Sequence, residues 1–103
     1  MKKTNQLPIK NQPLTKLELK RISALEKTDI KFIDDTLLSC ISLKYSKQAL
    51  IIIIARQKME DTLGSIPLTY YSMRIQKMVE EDILEAIGNL EYLRFSEVRK
   101  KSY

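Results

Sequence analysis

Apolar positions along this chain recur at helical spacing for most of its length. Ile30, Ile33, Leu37 and Ile41 fall at i, i+3, i+7 and i+11, which predicts a helix over 29–41 with Asp34, Asp35 and Ser39 off the stripe. Leu68, Tyr71, Ile75, Met78 and Val79 repeat the pattern and predict a helix over 67–81, leaving Thr69, Tyr70, Arg74, Gln76 and Lys77 outside it. The rhythm breaks at Ala49-Leu50-Ile51-Ile52-Ile53-Ile54-Ala55, where apolar residues are continuous. Four isoleucines favour a strand by propensity. The flanks Tyr45–Gln48 and Arg56–Glu60 lack glycine and proline, however, and extend the segment to helical length, so it reads as a central helix over 47–60. A helix that is apolar on every side needs neighbours on every side. The run is also far short of the ~18–20 residues that cross a bilayer, so no membrane association is expected.

Polar residues set the boundaries. Thr15 followed by Glu18 has capping-box spacing and opens a helix over 16–27, with Leu17, Arg21, Ala24 and Leu25 on one face. Thr28 or Asp29 caps the second helix and Ser46 the central one; Gly64 ends the latter, and Pro67 suits the first position of the next. Ile83–Ile87 and Phe95–Arg99 read as short strands joined around Gly88-Asn89, both of which tolerate positive φ. Met1–Pro13 carries Pro8 and Pro13 and no apolar period, and reads as a flexible basic arm. The expected organisation is this arm, one domain over 14–100 and a tail over 101–103. The expected class is mainly α with a small β-hairpin: three to four helices around a buried central helix, winged-helix-like, with 67–81 in the place of the recognition helix and the ribbon as wing.

A resemblance accompanies that order. Phe32-Ile33-Asp34-Asp35, Ser46-Lys47-Gln48-Ala49, Arg74-Ile75-Gln76-Lys77-Met78-Val79, Gly88-Asn89 and Glu97-Val98-Arg99 resemble a bacterial domain-of-unknown-function family, number 3658. Its members often carry this module at the C-terminus of a longer protein. The likeness covers about residues 28–100 and implies no catalytic residue. It departs at Asp82, where the family pattern usually has glycine.

Composition removes most chemistry. The 103 residues include no histidine and one cysteine, and Gly64 and Gly88 are the two glycines. Zinc, haem and iron–sulfur sites therefore lack ligand sets, and there is no glycine-rich phosphate loop. A serine or cysteine nucleophile would lack an activating base. Asp34 and Asp35 are adjacent, but neighbours on a helix point about 100° apart and cannot flank one scissile bond unaided. Cys40 reads as a small buried hydrophobe. No enzyme, cofactor or metal is expected. A lone cysteine, and Thr4-Asn5-Gln6 where a signal peptide would need apolar residues, point to the cytoplasm.

Charge narrows the partner. The net +5 is uneven: residues 1–31 carry +5, 32–60 carry +1, 61–93 carry −4 and 94–103 carry +3. Lys16, Lys20, Arg21 and Lys27 read as a solvated face. In the third long helix only Arg74 and Lys77 are available to phosphates, beside Glu80, Glu81 and Asp82, with Glu85 close by. That disfavours insertion into a DNA groove. Weak, non-specific nucleic-acid binding is left to the arm and tail, through Lys2, Lys3, Lys10, Lys100 and Lys101. The reading taken forward is a non-enzymatic protein-binding module whose acidic patch, beside an exposed Tyr70 and Arg74, docks a basic partner. Its narrower form is a small cognate inhibitor, such as a bacterial immunity protein on a basic toxin domain. The alternative is a winged-helix transcriptional regulator. Glu80, Glu81 and Asp82 have a blander explanation too, as residues that solvate a helix end or pair with Arg94 or Arg99.

Overall fold

A computed structural model describes residues 10–64 and 66–101. In chain order it contains α1 (Lys16–Ser23), α2 (Lys27–Ser39), β1 (Ser46–Lys47), α3 (Gln48–Leu63), α4 (Leu68–Glu80), β2 (Leu84–Ile87), a 3-10 turn at Leu93–Phe95, and β3 (Glu97–Lys100). The strands form one antiparallel sheet in the order β1-β3-β2. Ser46 and Lys47 pair with Val98 and Glu97, and Leu84–Ile87 run against Lys100–Glu97. A helix, a strand, two helices and a hairpin that returns to that strand make a winged-helix-like order, mainly helical as expected. The sheet has one strand more than the expected hairpin.

The apolar stripes meet on α3. Ile51, Ile52, Ala55 and Met59 are buried there against Ile33 and Leu37 of α2, Tyr71, Ile75 and Met78 of α4, Leu84 and Val98 of the sheet, and Leu93 of the turn. Each large side chain so buried contributes roughly 1.5–3 kcal/mol of transfer free energy. One expectation fails here, because α3 is not covered on every side. Leu50 and Ile54, one turn apart on the same face, remain 53% and 37% exposed. The packed elements approach α3 from the sides bearing Ile51, Ile52, Ala55 and Met59 and leave the Leu50–Ile54 side to solvent.

Local chemistry explains where the boundaries moved. The Thr15–Glu18 capping box forms as expected, with each backbone N–H donating to the other's side chain at 2.9 and 3.1 Å. α1 nevertheless stops at Ser23 rather than 27, because Glu26 is extended (φ −91°, ψ 167°) to open α2. α2 in turn begins at Lys27, ahead of the expected cap at Thr28 or Asp29: Glu26 takes the cap position and the Asp29 side chain, inside the first turn, accepts its N–H at 2.9 Å. Ile22 and Leu25 reach the core, whereas Leu17 and Ala24 of the expected stripe are exposed. Ser46 is not the cap of α3: its backbone is in the sheet opposite Val98, and Lys47 takes the cap position without a side-chain bond. The Gln48 N–H, at the start of α3, is instead satisfied by the Ser96 carbonyl at 2.9 Å.

Two residues with positive φ shape the wing. α4 ends in a Schellman turn: the Ile83 N–H donates to the Met78 carbonyl at 2.9 Å and the Asp82 N–H to the Val79 carbonyl at 3.1 Å. Asp82 is left-handed at φ 67°. Gly88 (φ 85°) opens the wing loop, and a Cβ there would sit 2.7 Å from the Phe95 carbonyl oxygen, so only glycine fits.

The arm differs from its expected flexible state where it is described. Lys10 forms an antiparallel bridge with Tyr92, and the Asn11 N–H donates to the Glu91 carbonyl at 2.8 Å. Residues 1–9, with Lys2 and Lys3, and the last two tail residues lie outside the described residues.

Candidate functional site

The residues expected to bind a partner divide among three environments. Arg74 faces α2. Its guanidinium grips the Asp34 carboxylate with both prongs, Nε to Oδ1 at 2.9 Å and Nη2 to Oδ2 at 2.7 Å. Both side chains are less than a quarter exposed. That hydrogen bond raises the Arg74 pKa against the opposing effect of burial. Tyr70, one turn earlier in the same seam, is 5% exposed, which corrects its expected exposure. It lies off the main stripe of α4 but points into the α2–α4 junction, where desolvation pushes its phenol up.

The exposed C-terminal turn of α4 holds Lys77, Glu80 and Glu81. Lys77 Nζ lies 3.8 Å from Glu81, both half-exposed, and Glu80 has no cation partner among the described residues. Just beyond, Asp82 accepts from Lys101 Nζ at 2.8 Å. Glu85 belongs to the outer face of the sheet. It accepts from Arg99 Nε at 2.7 Å, and the Arg99 guanidinium also lies 4.6 Å from the centre of the Tyr45 ring. The acids therefore largely carry cations of their own chain; Arg99, expected to pair with Glu80, Glu81 or Asp82, is taken by Glu85 instead. Asp35 is likewise paired, with Lys31 at 2.9 Å. Cys40 is partly buried at the end of α2.

A second feature, absent from the expected set, lies at the other end of α4. Gln48, Ser72 and Ser96 are fully buried and bonded to one another. Ser72 Oγ donates to Gln48 Oε1 at 2.6 Å, and Gln48 Nε2 donates to Ser96 Oγ at 2.8 Å and to the Leu90 carbonyl at 2.9 Å. Ser96 Oγ in turn donates to the Tyr92 carbonyl at 2.9 Å. The network ties the first turns of α3 and α4 to the wing loop. The arm lies on it: Asn11 Nδ2 donates to Ser72 Oγ at 3.0 Å, and Thr69 Oγ1 to the Gln12 carbonyl at 2.8 Å. The sequence does signal Gln48, which precedes Ile52, Ala55 and Met59 at helical spacing and so shares their buried face.

Among the described residues no group of histidine, cysteine and carboxylate side chains has the placement to hold a metal ion. No helix described is long and apolar enough to cross a membrane. No family model, curated protein or solved structure matches this chain.

Proposed function

We propose that this chain is a non-enzymatic protein-binding module on a winged-helix-like frame. The observation that carries the reading is what α4 offers outward. In a DNA-reading winged helix this helix would present cations to phosphates and side chains to base edges. Here Arg74 is committed to Asp34, Lys77 stands beside Glu81, and the arm lies across Thr69 and Ser72. What α4 leaves exposed is Met73, 45% accessible, with Lys77 and Glu80 on the turns that follow. An apolar, polarizable side chain rimmed by both signs of charge suits a protein surface better than a polyanion.

The narrower form, a cognate inhibitor docked on a basic toxin domain, assigns the attraction chiefly to Glu80 and Glu81, because Asp82 and Glu85 already hold short ion pairs. The bacterial family noted above is one of unknown function, so the resemblance adds no role to this reading. The one described non-glycine residue with positive φ, Asp82, stands at the position where that family's pattern has glycine.

A photo-crosslinking side chain placed at Met73 in the full chain, activated in native cells, tests the proposal. The expected adduct survives nuclease and is lost to protease. An adduct that nuclease removes, or selective retention of a short DNA duplex by the purified chain, would replace this reading with that of a regulator.

A further inference from the structure

The groove between the first half of α4 and the wing loop is built without help from the segment that fills it. Its floor is the Gln48–Ser72–Ser96 network, in which every bond but the one from Asn11 is made within α3, α4 and the wing. Its rims offer three groups to an extended chain: the Glu91 carbonyl, the Thr69 hydroxyl and a lone pair of Ser72 Oγ. The Tyr92 ring adds a seat for a cation, with Lys10 Nζ 5.5 Å from its centre. Beside Gln12 and Pro13, which form part of its wall, lies a cavity of about 260 Å³ whose other lining includes Glu18 of α1, Arg56 of α3, Thr69 of α4 and Leu93 of the 3-10 turn.

Residues 10–13 fill this groove incompletely. Asn11 Oδ1 is buried without a hydrogen-bond partner among the described residues, and the cavity is left open. A desolvated, unpaired carbonyl opposes the seating that its own amide nitrogen favours. The tether compensates, because a segment joined to α1 by a few residues faces the groove at an effective concentration on the order of millimolar. Such a seat is closed by attachment more than by fit.

We propose that this groove is the docking site for an extended, basic segment of a partner protein, and that residues 10–13 are the chain's own plug, displaced on docking. The proposal rests on the protein-binding reading above and names the site and partner chemistry for it. The plug supplies the template: a cation over Tyr92, then a side-chain amide on Ser72, then a backbone carbonyl facing Thr69 in extended conformation. Strand-like addition of this kind draws affinity from main-chain bonds and register from alternate side chains.

The test uses the full chain, a full-chain variant with Asn11→Ala and Gln12→Gly that loosens the plug and leaves the floor intact, and a labelled synthetic peptide of residues 7–15. The peptide is expected to bind the loosened chain at least about tenfold tighter than the wild type. Adding Thr69→Val to the loosened chain should weaken it again by about five- to tenfold, the measure of one lost hydrogen bond. Equal binding to wild type and loosened chain overturns the plug. No binding to a loosened chain whose circular dichroism is unchanged overturns the groove, as does peptide-independent dimerisation of that chain, which would make a second copy's arm the occupant. A protein adduct at Met73 alongside failed peptide binding would remove the groove and leave the protein-binding reading intact. A nuclease-sensitive adduct would overturn that reading and with it the partner proposed here, whatever the peptide does.

Discussion

The two ends of α4 are held by opposite means. At the N-terminal end, Ser72 is locked by neutral hydrogen bonds among Gln48, Ser96 and backbone carbonyls, with all three side chains out of solvent. At the C-terminal end, Lys77, Glu81, Asp82 and Lys101 form ion pairs in water or close to it. Neutral bonds in a dry site are costly to lose, because each partner left behind is desolvated and unpaired. Exposed ion pairs are worth little singly and fade with salt. The neutral end is therefore the part that fixes geometry, and the charged end is the part free to vary its partners.

The largest effect should come from the neutral end. Gln48→Ala removes three hydrogen bonds at once, to Ser72, Ser96 and the Leu90 carbonyl, and leaves a void at the start of α3, for an expected loss of about 2–4 kcal/mol. Urea denaturation at low and high salt measures it, and the loss should be the same at both. A loss below half a kcal/mol, or one that shrinks in salt, would erase the contrast between the ends.

Between the ends sits Arg74, charged yet mostly shielded. Arg74→Ala leaves Asp34 without its two-pronged partner where its side chain is only about a fifth exposed. A loss of about 1–3 kcal/mol is expected, below that of a fully buried pair because water still reaches both groups. Arg74→Lys should recover only part of it, since an ammonium cannot bond both carboxylate oxygens in one plane. Full recovery by lysine would mean that the seam needs charge and not the fork.

These contrasts also explain what was legible in the sequence. The stripes on α2 and α4 were readable because a buried helix face repeats every turn, and Ile33, Leu37, Tyr71, Ile75 and Met78 lie where spacing put them. Tyr70 was misjudged because spacing within one helix says nothing of a second helix closing over its flank, as α2 does through Asp34. β1 was missed because two residues carry no period, and Ser46–Lys47 become a strand only when Val98 and Glu97 arrive beside them. The seated arm was hidden for a related reason: two of its bonds use the Asn11 backbone N–H and the Gln12 carbonyl, groups that every residue type but proline presents alike. For the acids, sequence supplied the signs but not the pairings, which cross from Asp82 to Lys101 and from Glu85 to Arg99.

Tyr71 gives a smaller effect of the opposite sign. Its ring is core, but its hydroxyl is buried with no hydrogen-bond partner among the described residues. Tyr71→Phe should therefore stabilise, by about 1 kcal/mol. It should also change the alkaline limb. Burial raises both Tyr70 and Tyr71 above the ordinary phenol value near 10. The folded chain keeps these protons while the unfolded chain loses them, so their contribution is complete below about pH 10 and is lost as pH rises through the folded-state values. Denaturation midpoints from neutral to alkaline pH should fall less steeply for Tyr71→Phe than for the wild type. A variant less stable than wild type at neutral pH would mean that the hydroxyl does find a partner.

The smallest effects belong to the charged end, where Glu80 and Glu81 stand side by side but differ in company. Both lie in the last turn of α4, near the negative end of the helix dipole, where each negative charge costs about 0.3–1 kcal/mol at low salt. Glu81 recovers part of that from Lys77, 3.8 Å away, while Glu80 has no such partner among the described residues. Glu80→Gln should accordingly raise stability by about 0.3–1 kcal/mol at low salt, and Glu81→Gln by less, both gains vanishing at high salt. If these charges serve docking, the same substitutions slow association with a basic partner while the fold becomes slightly firmer, because attraction between distant charges acts mainly on the on-rate. Stopped-flow association at two salt concentrations separates the effects. A gain for Glu81→Gln as large as for Glu80→Gln would dissolve the Lys77 pair as a structural element. An unchanged low-salt on-rate for the double variant would confine both acids to the helix end.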